Sequence, residues 1–132
     1  MARRWQTPLL GEFVMSKMTG ARMAPLLLQA GLPADLVSHE AGAINKVMRQ
    51  CILKLYRSAK NVGAEWSPAL AALPPKGMVF WGADDTYVPL ETAERFTQKH
   101  NVPLHLERGA GHWPIVERAK ALAALLKTHW AD

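Results

Sequence analysis

Two residues in this 132-residue chain stand where they could do chemistry together. Asp85 lies in Gly82-Ala83-Asp84-Asp85-Thr86-Tyr87-Val88-Pro89, directly after the apolar run Met78-Val79-Phe80-Trp81. His112 lies in Gly109-Ala110-Gly111-His112-Trp113. A histidine works as a general base when its ring is held in one tautomer and its cation is stabilised. A carboxylate hydrogen-bonded to one ring nitrogen does both. The residues are 27 positions apart, about one helix and one strand of an αβ unit. Gly109 and Gly111 permit a tight loop with positive φ, and so a close approach of His112 to the acid.

The elements that must position this pair follow from patterning. Gly77 to Trp81 is a short apolar run bounded by turn signals, which predicts a strand buried on both faces. Pro89 to about His100 predicts a helix with Leu90, Ala93 and Phe96 on one side. Val102 to Glu107 alternates as a second strand, and Val116 to Trp130 predicts the last helix. Strand–helix–strand–helix implies parallel strands, with functional residues beyond their carboxyl ends. Asp85 and His112 both fall there. Leu73-Pro74-Pro75 is a stiff connector, so the chain divides into residues 1–73 and 74–132. The first part reads as helices: Glu12 to Thr19 ended by Gly20, Pro25 to Ala30, and a long helix from Ser38 to Arg57. Ser38 is its expected N-cap, and Ile44, Val47, Met48, Cys51, Ile52 and Leu55 form its apolar stripe. Ser67-Pro68 opens a brief helix to Leu73.

Composition bounds the alternatives. The apolar fraction is 49% and the charged fraction 20%, which is globular and not disordered. The net charge of +5 permits contact with an anionic partner, but the cations are scattered and no nucleic-acid signature occurs. No nucleic-acid partner is expected. The single cysteine, Cys51, cannot close an internal disulfide, which favours a reducing compartment. The first residues lack the apolar core of a signal peptide, and no apolar stretch approaches the roughly 18 residues of a membrane span. The expected setting is cytoplasmic, with no membrane contact.

The loops resemble a known family. Gly82-Ala83-Asp84-Asp85 followed by Val88-Pro89 resembles the acid loop of α/β-hydrolases, in which the catalytic acid stands three residues after the glycine that ends a strand. Gly111-His112-Trp113 resembles the family's histidine loop, and the order acid then histidine agrees. Arg4-Trp5-Gln6-Thr7-Pro8 with Gly11-Glu12, and Leu55-Tyr56-Arg57-Ser58, resemble the two ends of the helical lid of hydrolases related to haloalkane dehalogenases and epoxide hydrolases. The resemblance implies an α/β fold: an incomplete α/β-hydrolase with a helical lid region (residues 1–73), the last two parallel strands and flanking helices (residues 74–132). It implies Asp85 as the orienting acid, His112 as the base, no metal or organic cofactor, and a small apolar substrate with an ester or related bond.

One part of the family pattern is missing. The nucleophile of such enzymes stands on a Gly-x-Ser-x-Gly elbow or an Asp equivalent. Ser16, Ser38, Ser58 and Ser67 have no such flanks, and Cys51 lies on the apolar stripe of a helix. The chain therefore reads as the C-terminal half of a hydrolase whose nucleophile half is absent. The alternative is a catalytically inactive truncated chain that associates with its missing half, or with itself, through an unpaired sheet. Esterase, epoxide hydrolase and dehalogenase chemistries stay open. Trp113 and Phe13 are candidate substrate-binding residues, with core packing as the competing role. Asp84 reads as a solvated turn acid, and His39, His100, His105 and His129 lack metal-ligand spacing.

Overall fold

Asn45 sets the first departure from the sequence reading. Its backbone is extended (φ −103°, ψ −175°) and its side-chain oxygen accepts the Met48 amide at 3.0 Å. That bond satisfies one of the free amides at a helix start. The expected helix over 38–57 is therefore two helices, Ala34–Gly42 and Lys46–Ser58, and the N-cap is Asn45 and not Ser38. The computed structural model describes residues 2–131, with element order α1 (Ala2–Gln6), α2 (Leu10–Ser16), α3 (Gly20–Gln29), α4 (Ala34–Gly42), α5 (Lys46–Ser58), α6 (Val62–Trp66), β1 (Val79–Gly82), α7 (Leu90–His100), β2 (Leu104–Glu107), α8 (Pro114–Glu117) and α9 (Ala119–His129). Short 3₁₀ turns cover Ala59–Asn61 and Ala69–Ala72.

The expected α/β class is corrected by this inventory. Of the described residues 63% are helical, and the sheet is two parallel strands of four residues each. A sheet flanked by helices, as an α/β-hydrolase fold requires, is not what these residues form. The cause is visible in the patterning: apart from the runs that make β1 and β2, the apolar residues recur at helical spacing. The architecture is helical, with a two-stranded parallel ribbon.

The chain forms two compact units, residues 1–27 with 34–68, and residues 28–33 with 69–132. The division falls at Pro68, ahead of the double proline, and the short segment 28–33 joins the second unit.

In the first unit α1, α2 and α5 pack together. Trp5 meets Tyr56 edge-on with ring centroids 4.5 Å apart, and the Gln6 amide donates to the Tyr56 carbonyl at 3.0 Å. Gly11 lets these helices approach, because a Cβ there would stand 2.7 Å from the Trp5 carbonyl oxygen and 3.0 Å from Leu53. Met15, Val37, Ala41 and Leu53 are buried. Arg57 pairs with Glu12 at 2.8 Å and, chiefly through that hydrogen bond, holds the Glu12 carboxyl down at about 2. The pair is exposed, so solvent screens most of its contribution to stability. Gly20 opens α3 instead of ending α2, and its missing side chain leaves room for the Ala41 carbonyl.

In the second unit the ribbon has the register Val79↔Leu104 to Gly82↔Glu107, extended by the Val79 amide to the Pro103 carbonyl (2.9 Å) and the Ala83 amide to the Glu107 carbonyl (3.0 Å). Helix α7 connects the strands and ends at Asn101, a left-handed cap (φ 52°) of the kind asparagine tolerates. The expected single last helix is interrupted at Arg118, giving α8 and α9. At the far end of α9 the His129 ring nitrogen Nε2 (2.9 Å) and the Trp130 indole N–H (3.1 Å) both meet the Lys76 carbonyl, fastening α9 to the segment that leads into β1. Among the described residues no helix is long and apolar enough to cross a membrane.

Replacing Asn45 by Ala removes the cap of α5. The expected loss is about 1 kcal/mol of stability, read by thermal unfolding, with Asn45→Asp retaining most of it.

Candidate active site

The loops that carry the acid and the histidine are stitched together through their backbones. Beyond β1 the Asp84 amide donates to the Ala110 carbonyl at 2.9 Å. The approach is possible because residue 82 is glycine: a Cβ there would collide with the carbonyls of Ala110 and Gly111. Gly111 in turn lies against the segment 28–33, where its own Cβ would stand 2.5 Å from the Ala30 carbonyl oxygen. The next amide, His112 N–H, donates to that same carbonyl at 2.8 Å. The sequence reading gave Gly109 and Gly111 a shared role in positive φ. Only Gly109 has it (φ 72°), and Gly111 serves by close approach.

These contacts bring Asp85 and His112 together. His112 Nδ1 stands 2.9 Å from Asp85 Oδ2. The other carboxylate oxygen, Oδ1, accepts the amides of Tyr87 (2.8 Å) and Val88 (3.0 Å). The Asp85 side chain is 6% exposed and that of His112 is 34% exposed. Burial pushes the Asp85 carboxyl up, but the hydrogen bonds from His112 and the Val88 and Tyr87 amides outweigh it and hold the group below its ordinary value. An ionised carboxylate only accepts, so Nδ1 carries the proton and Nε2 presents its lone pair. No described residue hydrogen-bonds Nε2. This is the arrangement of a base whose tautomer is fixed and whose cation has a counter-charge.

Aromatic rings flank the imidazole. Tyr87 lies 4.9 Å away, tilted by 59°, and Trp113 lies 5.4 Å away, edge-on. Trp113 is half-buried, with an indole N–H that has no hydrogen-bond partner among the described residues. Phe13, the other expected substrate-binding residue, belongs to the first unit, is 63% exposed and carries the Lys17 ammonium over its ring at 5.5 Å. The acid–base pair is built wholly within the second unit. Asp84 is exposed, and only its amide takes part. Among the described residues no group of three or more His, Cys, Asp or Glu is placed to hold a metal ion.

All four serines and Cys51 belong to the first unit, so the second unit contains neither residue type. Ser16, Ser58 and Ser67 donate to carbonyls of their own helical turns. Two residues outside the sequence reading complete the site. Ala30 supplies the carbonyl that holds the His112 amide, and Glu117 accepts the Gly111 amide with both oxygens, at 2.9 and 3.2 Å. Ala30 carries no local signal. Glu117 follows Pro114 by three positions in the first turn of a helix, a common place for an acid.

The lowered Asp85 value has a definite sign in stability. Its contribution is fully present above the unfolded carboxylate value near ~3.9 and is lost as pH falls through the lower folded value. The stability advantage of wild type over Asp85→Asn should shrink as pH falls from about 5 through the carboxylate range. A difference independent of pH would contradict this. No known family model, curated protein or solved structure matches the chain.

Proposed function

We propose that Asp85 and His112 are the acid–base part of a hydrolytic site acting on an ester or related bond of a small, fairly apolar substrate. The observation that carries this reading is the 2.9 Å bond from Nδ1 to a buried carboxylate, with Nε2 free of any hydrogen-bond partner among the described residues and the rings of Tyr87 and Trp113 beside the imidazole. In the proposed reaction Nε2 takes a proton from the attacking oxygen. Asp85 stays ionised beside the imidazolium, and the proton passes to the leaving group. We take the attacking oxygen to be that of water or of a nucleophile on a partner polypeptide, because the second unit has no serine or cysteine and none of the four serines has the flanking glycines of a nucleophile elbow. The aromatic rings beside the imidazole suit an apolar substrate. The likeness of Gly82–Asp85 and Gly111–Trp113 to hydrolase acid and histidine loops supports the same chemistry. A single cysteine supports a reducing, cytoplasmic setting.

A small activated ester such as p-nitrophenyl butyrate tests the reading. His112→Ala should lower kcat/KM by at least about 10²-fold, the usual contribution of a positioned general base. Asp85→Asn should lower it as well, because the ring loses its fixed tautomer. Equal rates for wild type and His112→Ala would remove the assignment.

A second reading, a chain without catalysis that associates through its unpaired sheet, is favoured by one observation. The ribbon has two open edges, and Trp66, Ile115 and Trp130 are each more than half exposed. It predicts a sedimentation-derived mass that rises with protein concentration. A concentration-independent monomer that unfolds cooperatively would count against it.

A further inference from the structure

We propose that Glu117 is a positioning residue for His112, acting through the peptide group between Ala110 and Gly111. The inference rests on reading Asp85 and His112 as the working pair. That single peptide group is held at both ends. Its N–H donates to the Glu117 carboxylate, and its carbonyl accepts the amide of Asp84, the residue just before the acid. Glu117 is thus linked to the acid loop across one peptide plane. The neighbouring peptide plane is fixed separately, by the His112 amide on the Ala30 carbonyl at 2.8 Å. The two planes that flank the Gly111 Cα are therefore both pinned, and the second of them leads directly into His112, so together they set the position from which its side chain extends.

The surroundings are shaped to this carboxylate. Residue 31 is glycine with φ 92°, and a Cβ there would stand 2.5 Å from Glu117 Oε1. Gly31 thus leaves the space in which the carboxylate lies. Its neighbour Arg118 fastens the other end of the loop, donating to the Gly109 carbonyl at 2.9 Å with its guanidinium 3.7 Å from Glu107. The carboxylate accepts from a backbone amide and neither hydrogen-bonds nor ion-pairs with the imidazole, so its effect on His112 runs through the backbone. A side chain that keeps an acceptor oxygen at the same reach should replace it. One that is a methylene shorter should not.

The test is nuclear magnetic resonance of the full chain with ¹⁵N-labelled histidine. In wild type the His112 Nδ1–H should give a downfield proton signal, protected from solvent by its bond to Asp85. Glu117→Gln should retain the signal. Glu117→Ala and Glu117→Asp should lose it and move the ring toward the Nε2–H tautomer, while the amide signals of Val79–Gly82 keep their positions. An unchanged Nδ1–H signal in Glu117→Ala would overturn the proposal. If that variant fails to fold, the comparison of Gln with Asp decides: equal signals overturn it, and loss in Asp alone supports it. The readout does not depend on turnover. A signal that responds as expected while His112→Ala leaves ester hydrolysis unchanged supports the positioning role and removes the hydrolytic one. Hydrolysis that requires His112, with a signal indifferent to residue 117, removes the positioning role alone.

Discussion

The space where residue 82 would carry a Cβ is occupied by the carbonyls of Ala110 and Gly111. This close backbone approach is what the rest of the second unit serves. It allows the Asp84 amide to reach the Ala110 carbonyl, and it places Asp85 and His112 on facing loops within hydrogen-bonding distance. Any side chain at 82 would hold the loops apart and lengthen the Nδ1–Oδ2 bond. Glycine here is chosen by sterics at a contact and not by backbone conformation, since the positive-φ role falls on Gly31 and Gly109.

Two carboxylates among the described residues are held below their ordinary values, and they differ in kind. Glu12 is exposed on α2 and pairs with Arg57 of α5, joining two helices of the first unit. Asp85 is buried, its oxygens divided between two backbone amides and a histidine. The larger shift belongs to the exposed pair, which has no neighbouring base. Depression of a carboxyl is therefore a weak pointer to chemistry by itself. Burial, saturated acceptors and an open ring nitrogen on the partner distinguish Asp85.

The second unit was legible from the sequence where punctuation was strong. The run Val79-Phe80-Trp81, Pro89 before α7 and the glycines around His112 all mark real boundaries or close contacts. Of the two adjacent acids, Asp85 is the one whose carboxylate meets His112, and Asp84 is exposed. What misled was scale. Two short runs of strand character imply an α/β class only if more strands accompany them, and helical spacing governs the remainder. The helix over 38–57 was overextended because Ile44 continues the apolar stripe, although Gly42 and Asn45 interrupt the backbone around it. Pro25 was read as a start, yet α3 runs through it. Ala30 and Glu117 were invisible because their roles depend on backbone groups brought from elsewhere in the fold.

The hydrogen bond from His112 to Ala30 also has a consequence for the order of assembly. Its partners are separated by most of the chain, and the intervening residues include all of the first unit's second segment. Closing so long a loop is entropically slow and is rewarded only when β1, β2 and their connecting helix are already in place. During synthesis the segment 28–33 emerges early and must wait for Gly111 and His112. The helices of the first unit, with their shorter-range contacts, can form meanwhile. The bond that fixes the histidine loop can thus form only once residue 112 is made, whereas the contacts inside the first unit need no residue beyond 68.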